Sequence, residues 1–550
     1  MSGQAELPIA DHPAARPTIR SLSAVAAQWI VRIGDRLNPI LVKETRQALK
    51  SRQFGITFGL VLLCGWVWSI VGVAMAGPHV FYGVHGPDMF FGYYVILAFP
   101  LLVIVPFGAF RSLAGEQEDR TYELLSITAL GPRQIVGGKL GSAGVQMAIY
   151  LSAVSPCLAF TYMLRGIDFP TILFILLYTV LGSLALSVAA LLVGTLTAEK
   201  HWQVVLSVLS ILGLVYAFGG ACALVMETLN WADLPFGESE FWQVNGAFLT
   251  AYVTYFALLF YAASAQLTFV SDNRSTRLRF VMLIQHVLCV GWMSWFWIGP
   301  ARGEEEVLLA FMILIGLHWY VMGAFMIGES PDLSPRVKRR LPQSFLGRVF
   351  LTWFNPGPGT GYLLAVSGLL AALLMVVLGV AAQHLFESWN LSRWSSRYTS
   401  VTLAFGLLGA SYATIYLGLG LLVIRFLRRI TQVGILLNLL IHVLLLMLGS
   451  GVPVVIQLMS PEFRYLDYTL LQITNPLWTL AHVADRSNLP AEAAVLLLLI
   501  PFTAAIVFLL TLPGVAREVR QVRVAKPKRV AEEDAELTPV RPVKTSPWDN

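Results

Sequence analysis

Gly131 and Gly137-Gly138-Lys139-Leu140 are the residues of this chain that come nearest to a phosphate-binding loop. That chemistry needs glycine amides wrapped round a phosphate, a lysine to meet its charge, and a following Ser or Thr for Mg²⁺. Here the glycine spacing is wrong and Leu140 stands where the hydroxyl is required, so the match is formal only. The stretch that contains it carries more. It runs Glu116-Gln-Glu-Asp-Arg-Thr-Tyr-Glu-Leu-Leu-Ser-Ile-Thr-Ala-Leu-Gly-Pro-Arg-Gln-Ile-Val-Gly-Gly-Lys139. Glu116 and Arg120 stand four apart, the favourable order for a helical ion pair. Thr121 is placed to cap a short helix from Tyr122, to which Leu124, Leu125, Ile127 and Leu130 give an apolar side. Gly131-Pro132 ends that helix, and a second one starts near Arg133 and runs through Lys139 into an apolar span. The expected product is a helical hairpin with one apolar and one charged face, a shape suited to a groove on a soluble partner.

Other chemistry is thin. There is no GxSxG, no HExxH and no pair of carboxylates on one helix face. Glu462, Asp467, His482 and Asp485 read as solvated loop residues rather than a site. Cys64, Cys157, Cys222 and Cys289 all fall in apolar runs with no metal-ligand spacing, so no metal site is expected. His286, His318, His442, Gln146 and Gln266 lie inside apolar runs, where hydrogen bonding between helices is the expected role rather than a proton relay. Asp, Glu, Lys and Arg occur only near the ends of those runs, as Glu492 does. An ion-coupled secondary carrier, which generally needs buried charges at mid-membrane, is therefore the weaker alternative.

The elements that must hold these residues are set by composition. With 56% hydrophobic and 13% charged residues among 550, the chain is outside the soluble range. Apolar runs long enough to cross a bilayer recur at roughly 54–76, 91–110, 141–164, 170–196, 202–226, 245–270, 279–299, 306–327, 362–385, 399–424, 431–457 and 491–513. The runs are continuous rather than alternating, which excludes an outer-membrane barrel. The expected fold is an all-α polytopic integral membrane protein of about twelve transmembrane helices, with both termini cytoplasmic. Charge supports that orientation. Only Arg165, Arg302, Arg393, Arg397, Arg464 and Arg486 fall outside, leaving 32 of the 38 Lys and Arg inside. The net charge of +6 is explained by the inner lipid surface and calls for no nucleic acid.

Along the chain, 1–18 reads as disordered and 19–53 as amphipathic and connecting helices. Leu22, Val25, Ala26, Trp29, Ile30, Ile33 and Leu37 share one helical face. Asn38-Pro39 then gives a cap followed by proline at the first helical position. The basic helix from Ile40 to Arg52 leads into the first span, either as a juxtamembrane anchor or as support for a docking surface. The expected membrane sections are 54–270 with six helices, 271–361 with two helices and a cytoplasmic linker, and 362–513 with four. Within the linker, Asn355-Pro-Gly-Pro-Gly-Thr-Gly361 lacks a following Lys-Ser/Thr and reads as flexible rather than phosphate-binding. The outer loops 227–244 and 458–490 are rich in aromatics, expected as an interfacial belt, with short re-entrant helices as the alternative. Residues 514–550 read as a basic, then acidic, disordered tail.

The pattern Glu116-x-Glu118-x-x-Thr121-x-Glu123-x-Leu125, followed by Leu130, Ile135, Gly138 and Lys139, resembles the coupling segment of ABC type-2 exporter permeases. The family reads E-x-E-x-G-T-x-E-x-L-L, then T-P-L, then G-K; here Arg120 replaces the glycine and Ala129 the proline. Asn38, Pro39, Lys43, Glu44 and Arg46 resemble the family's connecting helix. The likeness covers about 20–270. It implies a permease subunit in the cell (inner) membrane without its own ATPase motif or cofactor. A separate cytoplasmic ABC ATPase would bind ATP and Mg and grip Glu116, Glu118, Arg120, Thr121, Glu123, Leu125, Gly138 and Lys139. It further implies a homodimer, or a heterodimer with another permease chain. A membrane protein of assembly or regulation that does not transport is the remaining alternative.

Overall fold

The computed structural model describes residues 38–78, 83–118, 130–196, 199–230, 234–269, 271–300, 304–342, 344–388, 399–459, 467–485, 492–521, 524 and 527–537. The amphipathic stretch 22–37 and the residues Arg120, Thr121, Glu123 and Leu125 lie outside them. The described chain is all-α, and twelve of its helices are long and apolar enough to cross a membrane. The architecture is therefore that of a multi-pass helical membrane protein. It divides into two compact units, 1–234 and 235–550.

The first unit opens with α1 (Pro39–Lys50), where Asn38 accepts a hydrogen bond from the Ile40 amide at 3.1 Å and Pro39 sits at the first helical position. Five spans follow: α2 (Arg52–Ala76), α3 (Gly86–Glu118), α4 (Pro132–Met163), α5 (Phe169–Gly194) and α6 (Lys200–Asn230). The central element is α3. Its Phe90, Tyr93, Tyr94, Leu97, Leu101, Val105 and Leu113 are almost wholly buried, and it packs on the other four spans. Polar bonds pin it: the Tyr93 hydroxyl meets Ser69 at 2.7 Å, and Thr179 donates to the Tyr94 hydroxyl at 3.2 Å. Bonds of this kind are worth on the order of 0.6 kcal/mol each in a membrane bundle. Pro100 has no amide to give, and the helix widens into a π-turn over Pro100–Ile104. The Ser183 hydroxyl of α5 donates to the Leu101 carbonyl inside that turn. Large apolar side chains also face outward: Trp66 and Ile70 of α2 are 69% and 71% exposed, side chains that belong against lipid.

The second unit contains α7 (Ser239–Gln266), α8 (Thr276–Ile298), α9 (Glu305–Ile327), the short α10 (Pro335–Arg339) and α11 (Phe345–Leu351), then α12 (Pro358–Ser388), α13 (Thr399–Leu427), α14 (Ile435–Met459), α15 (Pro476–Ala484), α16 (Ala493–Val519) and α17 (Lys528–Leu537). Its core is Phe311, Ile315 and Trp319 of α9 against Tyr362, Leu369 and Val376 of α12 and Leu417, Leu421 and Ile424 of α13.

Three expectations change. The sixth span, α7, packs against α8 and belongs to the second unit, so the first section ends at 234 rather than 270. The expected disordered tail is helical in part: α16 runs on to Val519, and 528–537 forms α17, where Arg529 pairs with Glu533 one turn on at 3.0 Å. The second aromatic loop is more than a belt. Leu470–Thr474 and α15 fold back on α13 and α14 with Gln472, Thr479 and Val483 buried, and Tyr416 donates its hydroxyl to the Thr474 carbonyl at 2.6 Å. This loop therefore contains short helices packed back on the bundle.

Candidate functional site

The charged residues singled out in the first unit meet at one end of the bundle. Lys139, in the second turn of α4, is 3% exposed. Its Nζ lies 3.0 Å from Glu44 of α1 and 3.0 Å from Glu116 at the end of α3, and it donates to the Ser112 carbonyl at 3.2 Å. Lys43 adds a second ammonium 3.7 Å from Glu116 and 3.9 Å from Glu44. Two cations thus balance two carboxylates. A buried ammonium of this kind is tolerable only because its donors are satisfied and its charge is met.

Packing also holds α1 against α4. Asn38 Nδ2 donates to the Gln134 carbonyl, and Ile40 is 5% exposed against α4. Gly138 permits that approach: a Cβ there would lie 2.8 Å from Ile40 Cβ and 3.0 Å from Asn38 Nδ2. Gly138→Val is therefore expected to wedge α1 off α4 at a cost of about 1–3 kcal/mol. A lower thermal midpoint in detergent, with faster tryptic cleavage after Lys43 and Arg46, would register it. Unchanged values would mean that α1 yields freely.

Glu44, Glu116, Gly138 and Lys139 are thus brought together and turned inward, forming a joint between α1, α3 and α4. Glu118 and Arg46 face outward instead, and Lys43 is itself exposed. Glu118 meets the exposed Lys200 only at 4.0 Å, a pairing worth little. Arg46 lines an open hollow of about 490 Å³ with Lys43, Gln47 and Lys50. Glu118 stands at the point where 119–129 leaves α3, and Leu130 where it returns. Gly137 and Gly138 sit within α4, capped by Gln134, whose Oε1 accepts from the Gly131 amide at 3.0 Å. Their backbone is helical and forms no phosphate-cradling loop.

The second unit holds an ion cluster that the sequence did not single out. Arg279, in the first turn of α8, is 0% exposed. It donates to Glu329 Oε2 at 2.7 Å, to the Gly357 and Trp353 carbonyls at 2.9 and 2.8 Å, and to Thr360 Oγ1 at 3.0 Å. Glu329 also takes the Gly357 amide at 2.7 Å, while Glu518 of α16 takes the Gly359 amide at 2.8 Å. Gly357 adopts φ +148°, open to glycine, and a Cβ on Gly359 would lie 2.9 Å from both Glu518 oxygens. The glycine-rich stretch expected as a flexible linker is thus a fixed turn whose amides are already held by carboxylates.

Elsewhere the polar residues serve packing. Trp319 donates to His286 Nδ1 at 3.0 Å, and Tyr255 meets His318 at 2.8 Å. His442 Nδ1 bonds the Asn438 carbonyl of its own helix at 2.9 Å. Of the outer-loop quartet, Glu462 lies outside the described residues; His482 stacks on Tyr468 at 4.1 Å. Burial pushes the Tyr468 phenol up, against the lowering effect of its bond to Thr479. Among the described residues no group of His, Cys, Asp or Glu has metal-binding geometry.

No protein-family model matches this chain, and no curated protein or solved structure is significantly similar to it.

Proposed function

We propose that this chain is the permease subunit of an ATP-driven exporter of the cell inner membrane, worked by a separate cytoplasmic ABC ATPase that grips the segment between α3 and α4. What supports the reading is the Lys139 joint. A push on a loop moves a membrane bundle only if the helices at its two ends move as one body. Lys139 ties the end of α3, the start of α4 and the lead-in helix α1 through a buried, charge-balanced cluster. The loop that α3 and α4 bracket is the one whose residues resemble a coupling segment. Lys139 and Glu116 act in this reading as the rigid base of the handle. Glu118 and Glu123 carry the contact itself.

Affinity purification in mild detergent tests this. An ABC ATPase is expected to co-elute with the tagged chain, and Glu118→Lys or Glu123→Lys is expected to cut its recovery at least tenfold while the chain itself elutes unchanged. Retention of the ATPase by both variants would refute the assignment of the contact.

A further inference from the structure

Five spans of the second unit repeat the packing of the five spans of the first, and α16 adds contacts to α12 and α13 that have no counterpart there. In the first, α3 packs against α2, α4, α5 and α6, α4 also packs against α2 and α5, and α5 against α6. In the second, α9 packs against α8, α12, α13 and α14, α12 also packs against α8 and α13, and α13 against α14. With α2 to α6 set against α8, α9, α12, α13 and α14, these are the same pairs in the same chain order. Helices adjacent in sequence pack together by default, so the information lies in the other pairs. First with third, second with fourth and second with fifth are each present in both units. Counterparts stand six spans apart, an even number, so they cross the membrane in the same direction, as in parallel-repeat transporters.

The ion clusters repeat as well. In each unit a buried cation ties the end of the second helix to the start of the third. In the first unit its other partner lies on α1, which leads into the first span, and in the second unit the cation stands on the first span itself. Lys139 at the start of the third helix holds Glu116 at the end of the second and Glu44 just before the first. Arg279 at the start of the first holds Glu329 just past the second and Thr360 at the start of the third. The residue types have changed places, which is why no second copy of the motif shows in the sequence.

The counterpart of 119–131, between second and third helices, is then 328–357. This segment is built and moored. Leu333, Val337 and Leu341 form an apolar cluster of their own. Ser334 donates to the Ser271 carbonyl at 2.6 Å, Arg336 pairs with Asp272 at 2.8 Å, and Gln521 Nε2 donates to the Pro331 carbonyl at 2.8 Å. Further along the same segment, Leu346 and Phe350 of α11 are 67% and 69% exposed, with the exposed Arg340 nearby in sequence.

We propose that 328–357 is a second docking surface for the same class of soluble ATPase that grips 119–131, so that one chain carries both partner sites. This rests on the permease reading. The moorings favour a protein over lipid as the occupant: a segment that lies on a bilayer takes its support from the bilayer, whereas preorganisation by the protein's own contacts serves rigid docking.

The test weighs the complex of the full chain with the ABC ATPase identified by co-elution, using native mass spectrometry. One chain with two ATPases is expected, and Leu346→Asp/Phe350→Asp is expected to leave one chain with one. Both side chains are exposed, and an unchanged elution profile of the variant chain checks its fold. One chain with one ATPase in the unaltered complex, two chains with two, or two ATPases retained by the double variant would each overturn the second surface and leave the permease reading standing. No ATPase at all would remove both. A second arm places bimane on Phe350→Cys, with Cys64, Cys157, Cys222 and Cys289 replaced by Ala, in vesicles of zwitterionic and anionic lipid. A water-like emission that shifts to the blue when the ATPase is added is expected. An emission already blue without ATPase would make the membrane surface the occupant.

Discussion

Lys139→Met is expected to destabilise the first unit by about 3–5 kcal/mol, the usual cost of removing one partner from a buried ion pair. The methionine fills much the same volume, so the loss falls on charge rather than packing. Glu44 and Glu116, each 3.0 Å from the missing ammonium, are left close together with Lys43 as their remaining cation at 3.7–3.9 Å. Two like charges in a half-buried pocket repel, and neither regains full hydration. A thermal midpoint well below that of the unaltered protein, read from tryptophan fluorescence in detergent, is the expected signal. The cause is separable from the effect. Adding Glu44→Gln and Glu116→Gln to Lys139→Met removes the stranded charges and should recover most of the loss, since a neutral replacement of a buried charge set is often tolerated. If the triple variant is as unstable as the single one, electrostatics is not what Lys139 supplies. In the permease reading the single variant should also free α1 from α4 and leave ATP hydrolysis by a bound partner uncoupled from helix movement.

The difference between Lys139 as read and Lys139 as found shows what the sequence could carry. The spans were legible because a bilayer demands long apolar runs, and the start of α1 because Asn38-Pro39 satisfies the orphan amides of a helix N-terminus. Lys139 stands out in the sequence because Gly137-Gly138-Lys139 imitates a phosphate loop and matches the G-K of the resembled coupling segment. Its direction was not legible: Glu44 lies 95 residues away, and nothing in local spacing ties the two. The resemblance implies a lysine presented to a partner, whereas the fold turns it inward. Arg279 was counted only as one more basic residue on the inner side. A signal did exist. Residue 279 lies near the start of α8 and residue 329 just past the end of α9, so an antiparallel helical pair brings the arginine and the glutamate to the same end. The repeat was hidden for a different reason. Packing pairs depend on helix length, direction and small contact residues, all of which survive when the residue types exchange.

Arg279→Met should be at least as damaging to the second unit, about 3–5 kcal/mol or more, and it should not be rescued by lysine. The guanidinium donates through Nη1 to the Trp353 carbonyl and Thr360 Oγ1, and through Nη2 to Glu329 Oε2 and the Gly357 carbonyl. These acceptors surround a planar fork with no exposed edge, whereas an ammonium offers three donors at a single point. Arg279→Lys is thus expected to resemble Arg279→Met, while Lys139→Arg in the other unit should keep its charge pairing and lose less. Glu329 would retain only its bond from the Gly357 amide at 2.7 Å, a poor match for a carboxylate with a buried side. The turn at Gly357 would loosen, and with it the moorings of 328–342. Trypsin offers a local readout, since Arg336, Lys338, Arg339 and Arg340 lie in that segment. Cleavage there should rise at least tenfold in both Arg279 variants, ahead of global unfolding. Cleavage after Lys43 and Arg46 should stay at its original rate, because the Lys139 cluster closes on residues of the first unit alone. Faster cleavage at both places would mean that the two clusters are not independent, and the notion of two separately latched units would fall with it.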